Sequence, residues 1–370
     1  MNDESYIQIA LELAKKGKGN VSPQALVGAL VVKNNKIIGA AYRSSSIDEG
    51  PEIGAIKNSK EPVENSTLYT NLEPCIFNDN DSENTPLQEN CVDFIIESKI
   101  KRVIIGSANP HPEFGGKAIK KFNKAGIDVK IGVYEKECFE VNKFYFNYCA
   151  SKRPYVTLKM AATLDGKIAD VKGNSKWITS VESRSLVHEL RSEYDAVLVG
   201  IKTVQADNPN LTVRLVEGRN PYRIVLDRNL ELSTNSNLVK NNYDKKLIVL
   251  TSKKNKSKEK KLKKLYDKDV EVIFVNEKKN GGIDLSAALK KLGNRNIISL
   301  LVEGGGKLFT GFVKEKLENE ILIFIGPKIL GGGISLANGL SLKSIGKAFN
   351  YTLKDLDKIG EDALLRLVRR

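Results

Sequence analysis

LKMAATLDGK (Leu158–Lys167), NSKWITS (Asn174–Ser180), HELR (His188–Arg191), DAVLVG (Asp195–Gly200) and TVQADNPNLTVR (Thr203–Arg214) follow one another in one stretch of the chain. Apolar runs of strand length alternate there with clusters of polar residues. Lys159, Thr163, Asp165, Ser175, Asp207 and Arg214 fall at the ends of such runs, positions that a packed core alone does not require to be polar. The stretch predicts the floor of a small-molecule site.

Downstream, the runs YVTLKMA, AVLVG, YRIVLD, KLIVLT, VEVIFV, IISLLVEGGG and ILIFIG are rich in Val, Ile and Leu. Most are separated by segments of helix length, which predicts a mainly parallel sheet covered on both faces. Ligands of such sheets collect at the carboxyl ends of the strands. Thr179-Ser180-Val181-Glu182 has the spacing of a capping box and predicts a helix starting at Thr179. Arg184, His188 and Arg191 then share one face of that helix. Arg191 and Arg214 are candidate anion ligands, because a guanidinium fork matches phosphate oxygens. Leu300–Glu303 runs into Gly304-Gly305-Gly306 and a helix expected over Leu308–Lys316, a place where backbone N–H groups can approach a phosphate. The chain contains no G-x-G-x-x-G, which excludes the ordinary Rossmann route to a dinucleotide.

Upstream, Ile9, Ala10, Leu13 and Ala14 recur at helical spacing behind Asp3, the expected N-cap. ALVGALVV, a KNNK turn and KIIGAAY predict a hairpin. Next come a short helix near Ile53–Asn58, a strand at Thr67–Thr70, a helix around Val92–Glu97 and the strand RVIIGSA. A helix near Ala118–Ala125, the strand IDVKIGV and one helix from Lys136 to about Tyr148 complete an α/β layered unit. The polar bridge Ala150–Pro154 separates two domains, 1–150 and 151–370.

Two points in the first unit carry chemistry. Asn71–Cys75 follows a strand, and Glu52 stands near the start of a short helix. Zinc deaminases hold the metal with one His or Cys before a catalytic glutamate and two later cysteines, the first preceded by proline. Pro74-Cys75 and Cys91 fit the two thiolates, and Glu52 fits the proton shuttle. Cys138 and Cys149, expected on a single helix, are core thiols in this reading.

The order of elements and these motifs resemble the bifunctional riboflavin-biosynthesis deaminase–reductases. The resemblance spans nearly the whole chain and implies a cytidine-deaminase-like domain followed by a dihydrofolate-reductase-like, mainly parallel-sheet domain. In that family Ala161, Trp177, Thr203, Asp207 and Gly304–Gly306 match cofactor-binding positions; Ser175, Arg191, Leu211, Arg214 and Glu303 match substrate-binding ones. The implied activity is NADPH-dependent reduction of the ribosyl chain of a phosphoribosylamino-uracil. Lys159, Asp207 and Glu303 are the proton-handling candidates, and Trp177 packs on the nicotinamide or walls the pocket.

The deaminase half departs from its pattern. The family's His-Ala-Glu is Gly50-Pro51-Glu52 here, so the third metal ligand is replaced by a residue with no donor atom. The family's Pro-Asn-Pro is Pro23-Gln24-Ala25, and its Asp-Pro-Asn-Pro is Asn109-Pro110-His111-Pro112. Fifteen residues separate Cys75 from Cys91, including the acidic run NDNDSEN. Asp48, Glu49, Asp79, Asp81 and His111 are substitute donors that no spacing singles out. An inactive deaminase half with an incomplete zinc site is the expectation; a working bifunctional enzyme with an unconventional third ligand is the alternative.

Composition sets the outer limits. With 370 residues, 41% hydrophobic and 28% charged, the chain has the make-up of a globular protein of two cores. No segment has the ~20 apolar residues of a membrane span and the start MNDESYIQ is not a secretory leader, so a cytoplasmic protein is expected. Four cysteines are too few for a disulfide framework. The net charge of +14 raises nucleic-acid binding, but Lys253–Lys268 alone supplies +7, from nine lysines against Glu259 and Asp267. A solvated lysine-rich helix accounts for that run better than a nucleic-acid surface does. The expected partners are a small-molecule substrate and a second copy in a homodimer.

Overall fold

The structure, a computed structural model, describes residues 1–76, 90–279 and 281–370. Asp79, Asp81 and the rest of the acidic run lie outside the described residues. The chain divides into two compact units, residues 1–152 and 153–370.

In the first unit, α1 (Asp3–Lys15), β1 (Gly28–Lys33), β2 (Lys36–Tyr42), α2 (Pro51–Lys57) and β3 (Thr67–Leu72) are followed by α3 (Cys91–Glu97) and β4 (Arg102–Ser107). Next come α4 (Lys117–Lys124), β5 (Asp128–Ile131), α5 (Glu135–Val141) and α6 (Lys143–Ser151). The sheet order is β2-β1-β3-β4-β5, with β1 antiparallel to both neighbours and β3, β4 and β5 parallel. The β1–β2 hairpin turns on Asn34 and Asn35, both at positive φ (51° and 61°), a conformation asparagine tolerates better than most residues. Successive residues of β1 serve two cores. Ala29 and Val31 pack with α2, α3 and α4 through Ala55, Val92, Ile95 and Phe122, while Leu30 and Val32 pack with Tyr6, Ile7, Ala10 and Leu11 of α1. Burial of both faces is why these strands show continuous rather than alternating hydrophobicity.

Two local expectations are corrected here. The cap of α1 is Asn2, whose side chain accepts from Ser5 N at 2.9 Å. Asp3 is instead drawn to the Tyr69 hydroxyl (3.0 Å) and Lys130 (2.8 Å). The single helix expected from Lys136 is two, broken at Asn142, whose amide engages Leu26 N (2.8 Å) and Leu26 O (2.9 Å). Cys138 and Cys149 therefore sit on different helices, both buried.

The second unit opens with β6 (Tyr155–Thr163), β7 (Lys167–Ala169), α7 (Val181–Glu193), β8 (Ala196–Gly200) and α8 (Ile201–Asp207). It continues through β9 (Tyr222–Leu226), α9 (Asn237–Lys240), β10 (Leu247–Ser252), α10 (Glu259–Tyr266) and β11 (Glu271–Val275). Then come α11 (Leu285–Gly293), β12 (Ser299–Glu303), α12 (Gly306–Glu315), β13 (Glu320–Gly326), β14 (Ile334–Ser335), β15 (Tyr351–Ile359) and β16 (Asp362–Arg369). Nine strands form one sheet in the order β11-β10-β9-β8-β12-β6-β13-β16-β15. It is parallel from β11 to β13, and the C-terminal hairpin β15–β16 adds antiparallel to β13. β7 and β14 pair separately. Val156, Leu158 and Met160 of β6 face a core shared with α11 and α12, including Leu289, Leu292 and Phe312. The opposite face, with Leu322, Phe324 and Ala161, is covered by Val187, Leu186 and Leu190 of α7.

α10 turns Leu262 and Leu265 inward and most of its lysines outward. Lys258 and Lys261 close on the carbonyls of Asn229 and Leu232, and Lys254 pairs with Glu277 at 2.9 Å. Among the described residues no helix is long and apolar enough to cross a membrane.

Candidate functional site

Register builds the centre of the second unit. β12 and β6 run parallel with Glu303, the last residue of β12, opposite Lys159 in the middle of β6, so these two side chains emerge together on the face that α7 covers. α7 begins one residue later than expected. Ser180 is its cap, accepting from Ser183 N at 3.2 Å, while Ser180 N donates to Asp362 Oδ2 at 2.7 Å. From α7, Arg191 reaches Glu303 with a two-pronged contact, Nε to Oε1 at 2.7 Å and Nη2 to Oε2 at 2.9 Å. Lys159 Nζ lies 3.9 Å from Glu303 Oε2 and 5.5 Å from the centre of the Phe324 ring.

The charges settle each other. Burial pushes the Glu303 carboxyl up, but Arg191 and Lys159 outweigh it and hold the pKa below the ordinary value. Burial pulls Lys159 down, with Glu303 opposing and Arg191 adding to the fall, so its ammonium gives up a proton more readily than a surface lysine. Burial, then the charges of Arg191 and Arg214, push His188 down to about 4. Its Nδ1 accepts from Arg214 N at 3.0 Å, which requires the neutral ring.

The anion ligands part company. Arg191 is half-buried and its fork is occupied by Glu303 and, at 3.4 Å, the Thr212 carbonyl, so it orders the carboxylate rather than offering two free donors. Arg214 is exposed, with Nη1 donating to Thr212 Oγ1 at 2.8 Å and, at 3.5 Å, to the Thr212 carbonyl. Thr163 and Asp165 serve the fold: Asp165 accepts from Thr163 Oγ1 (2.7 Å), Leu330 N (3.0 Å) and Gly331 N (2.7 Å), clasping the loop after β13. Ser175 and Trp177 lie on an exposed segment, and the guanidinium of Arg184 covers the Trp177 ring at 4.2 Å. Thr203 and Asp207 belong to α8, and Asp207 is exposed at its end, apart from the Glu303 cluster. Leu211 is buried at positive φ (56°), turning the chain toward Thr212 and Arg214.

The glycine turn starts its helix at Gly306, two residues before the expected Leu308. Its three glycines differ. A Cβ on Gly304 meets Leu308 Cδ2 at 2.8 Å, and one on Gly306 meets Asn338 Cβ and the carbonyls of Ser335 and Leu336, each at 2.8 Å. Gly305 is exposed with nothing within 4 Å of that position. The first and last glycines thus answer to packing, and the middle one leaves open space beside the free N–H groups of a ten-residue helix. That cradle fits a dinucleotide phosphate, and residues Gly304–Gly306 with Ala161 on the neighbouring strand would hold the cofactor.

The first unit gathers Gln24, Arg43, Gly50, Glu52, Glu73, Cys75, Cys91 and Tyr145 around a small pocket. Glu52 is buried and accepts from Thr70 Oγ1 at 2.9 Å; burial raises its pKa. Cys75 Sγ accepts from Asn109 Nδ2 at 3.4 Å, and burial pushes the thiol up to about 11. Burial also raises Cys91, with Glu52 adding to the rise. Gly50 leaves no donor, and a Cβ there collides with Cys91 Sγ, so the place of a third ligand is filled by a thiol. Among the described residues no three His, Cys, Asp or Glu side chains converge as a metal-holding group. The described residues do not fit zinc. His111 stacks on Phe114 at 4.6 Å, and Asp48 is bound by Ser44 and Ser45, so neither substitutes. Arg43 and His188 are the site residues that sequence reasoning left without a role: Arg43 lies in no motif, and the sequence puts His188 on the helix face of Arg191 with no partner to assign it.

The two folds and the cluster at the end of β12 define a two-domain chain, deaminase-like and then reductase. The RibD C-terminal domain family matches residues 154–365, and the cytidine and deoxycytidylate deaminase zinc-binding region matches residues 1–107. A riboflavin biosynthesis protein RibD from Aquifex aeolicus is 42% identical over 98% of this chain and 97% of its own. The solved deaminase/5-amino-6-(5-phosphoribosylamino)uracil reductase of Thermotoga maritima is 37% identical with a TM-score of 0.87, covering 100% of this chain and 99% of that one. Acinetobacter baumannii RibD superposes with a TM-score of 0.88 at 27% identity, over the same shares of the two chains. The chain belongs to the RibD family of riboflavin biosynthesis, with a reductase domain at its C-terminus.

Proposed function

We propose that residues 153–370 carry out the NADPH-dependent reduction of 5-amino-6-(5-phosphoribosylamino)uracil to its ribitylamino product. The observation that carries this reading is the Lys159–Glu303–Arg191 cluster at the end of β12, the strand that leads into the open Gly305 cradle. When bound, the nicotinamide supplies the hydride, which adds to C1′ of the ring-opened sugar. The chain's own residues manage the rest. Lys159, its acidity raised by burial, donates the proton that the substrate nitrogen needs. Glu303, fixed by Arg191, keeps Lys159 in place and balances its charge. Arg214, with its fork largely open, takes the substrate phosphate. Neutral His188 holds the Arg214 backbone where that side chain can reach. The retained N-terminal unit gives the reading a homodimer, checked by light scattering.

The test is NADPH oxidation, followed with the deaminated substrate and compared with NADH. Saturable turnover with NADPH and slower turnover with NADH is the expected result. No turnover with either nucleotide sinks the assignment.

A further inference from the structure

Arg43 follows β2 and is buried, and its Nε is sealed from solvent without a hydrogen-bond partner among the described residues. It lines the pocket that holds Gly50, Glu52, Cys75 and Cys91, and its charge acts on Glu52, Cys75 and Cys91. A guanidinium does not lose its proton in a protein, so this is a permanent cation. A zinc centre in the same pocket needs three donors and adds two positive charges to a site poor in solvent. Among the described residues the third donor is missing at Gly50, the space beside it belongs to Cys91 Sγ, and a cation is already in residence.

We infer that the Arg43 guanidinium has taken the metal's electrostatic place, that this pocket excludes zinc, and that a separate hydrolytic deaminase delivers the substrate of the reductase half. The last part rests on the reductase reading. In the supplying reaction water adds to the amine-bearing ring carbon, the C–N bond breaks and ammonia leaves. The ring gains a carbonyl, and no electrons are exchanged.

The test uses the full-length chain. Zinc is measured after equilibration with zinc and dialysis, and cobalt(II) is added to the metal-free protein to read the thiolate-to-cobalt charge-transfer band. Ammonia release from the diaminopyrimidine and NADPH-dependent reduction of the deaminated compound are followed separately. Expected are zinc well below one per chain, no cobalt band and no ammonia, while reduction proceeds. Arg43→Gln should tighten zinc by roughly tenfold in competition with a chelator, since removing a neighbouring cation favours a second one. Gly50→His alone should leave the cobalt band weak, and Gly50→His with Arg43→Gln should bring it up. One tightly held zinc per unaltered chain, with ammonia release lost in Glu52→Gln, overturns the inference. So does an Arg43→Gln chain with unchanged zinc affinity, or a double variant no better than Gly50→His. The zinc content of the unaltered chain decides the matter even where a variant fails to fold. Failed reduction in a chain that still excludes zinc strikes the reductase reading and leaves the exclusion standing.

Discussion

Each unit's site sets a glutamate out of bulk water beside an arginine, yet the pKa values of the two glutamates move in opposite directions. Glu303 receives both prongs of Arg191 and lies near Lys159, and its pKa falls. Glu52 has a threonine hydroxyl for a partner and Arg43 only as a neighbouring charge, and its pKa rises. Burial acts the same way in both; direct, fork-matched contact decides the outcome. A guanidinium that meets a buried carboxyl face to face therefore brings its pKa down, and one that acts only as a neighbouring charge leaves the rise from burial standing.

The largest effect should come from removing the anion of the second unit. Glu303→Gln leaves Arg191 and Lys159 without a counter-charge and should cost ~3–5 kcal/mol of stability by denaturant unfolding, with reductase activity lost. A fully active, equally stable Glu303→Gln chain breaks the comparison. Next, Gly306→Ala forces a methyl against two backbone carbonyls and should cost about 1–3 kcal/mol, whereas Gly305→Ala should leave Tm nearly unchanged and raise the KM for NADPH. If both variants lower Tm equally, the middle glycine serves packing and the cradle assignment fails.

Arg214→Ala should lower kcat/KM by about 1–2 kcal/mol, a modest figure because the side chain is exposed. Arg214→Lys should recover part of it, and an unchanged kcat/KM for the alanine variant removes the phosphate role. His188 gives a pH signature. Its folded pKa is about 4, below the unfolded value of 6.5, so the folded state prefers the neutral ring. Its contribution is complete above pH 6.5 and is lost as pH falls toward 4. Unfolding measured across that window should show wild type losing about 1 kcal/mol more than His188→Gln. Parallel curves for the two chains contradict the neutral His188–Arg214 bond. The smallest effect closes the comparison: Glu52→Gln keeps shape and a hydrogen-bond acceptor, so stability should move by less than about 0.5 kcal/mol. A loss like that of Glu303→Gln shows that the fold depends on a charge at Glu52.

Much of this architecture was legible in the sequence because both periodicity and motif agreed. The parallel strands of the second unit are apolar throughout, and buried parallel sheets require that. The C-terminal hairpin was missed because YTLKDLDKI carries four charges and lies mostly exposed, so no apolar run announced it. Lys159, Glu303 and Arg191 could each be named, but their pairing spans 112 residues between Arg191 and Glu303, and only register and helix face bring them together. Arg191 looked like an anion ligand for the same reason that it pairs with Glu303: a guanidinium fork fits either. Asp165 was misjudged because a carboxylate that clasps two backbone amides across 165 residues looks, in sequence, like one that awaits a ligand. Gly50 was the clearest signal, since no fold can give glycine a donor atom.

Strand order also has a meaning in time. β6, made first in its unit, lies between β12 and β13, and β13 is closed on its far side by β16. During synthesis β6 stays without either neighbour until β12 and β13 have been made. Residues 1–152, with their own closed cores, have no such wait. The first unit is able to fold while the second is still being made; in the second, the central strands wait longest for their partners and are the stretch most in need of protection from other unfinished chains.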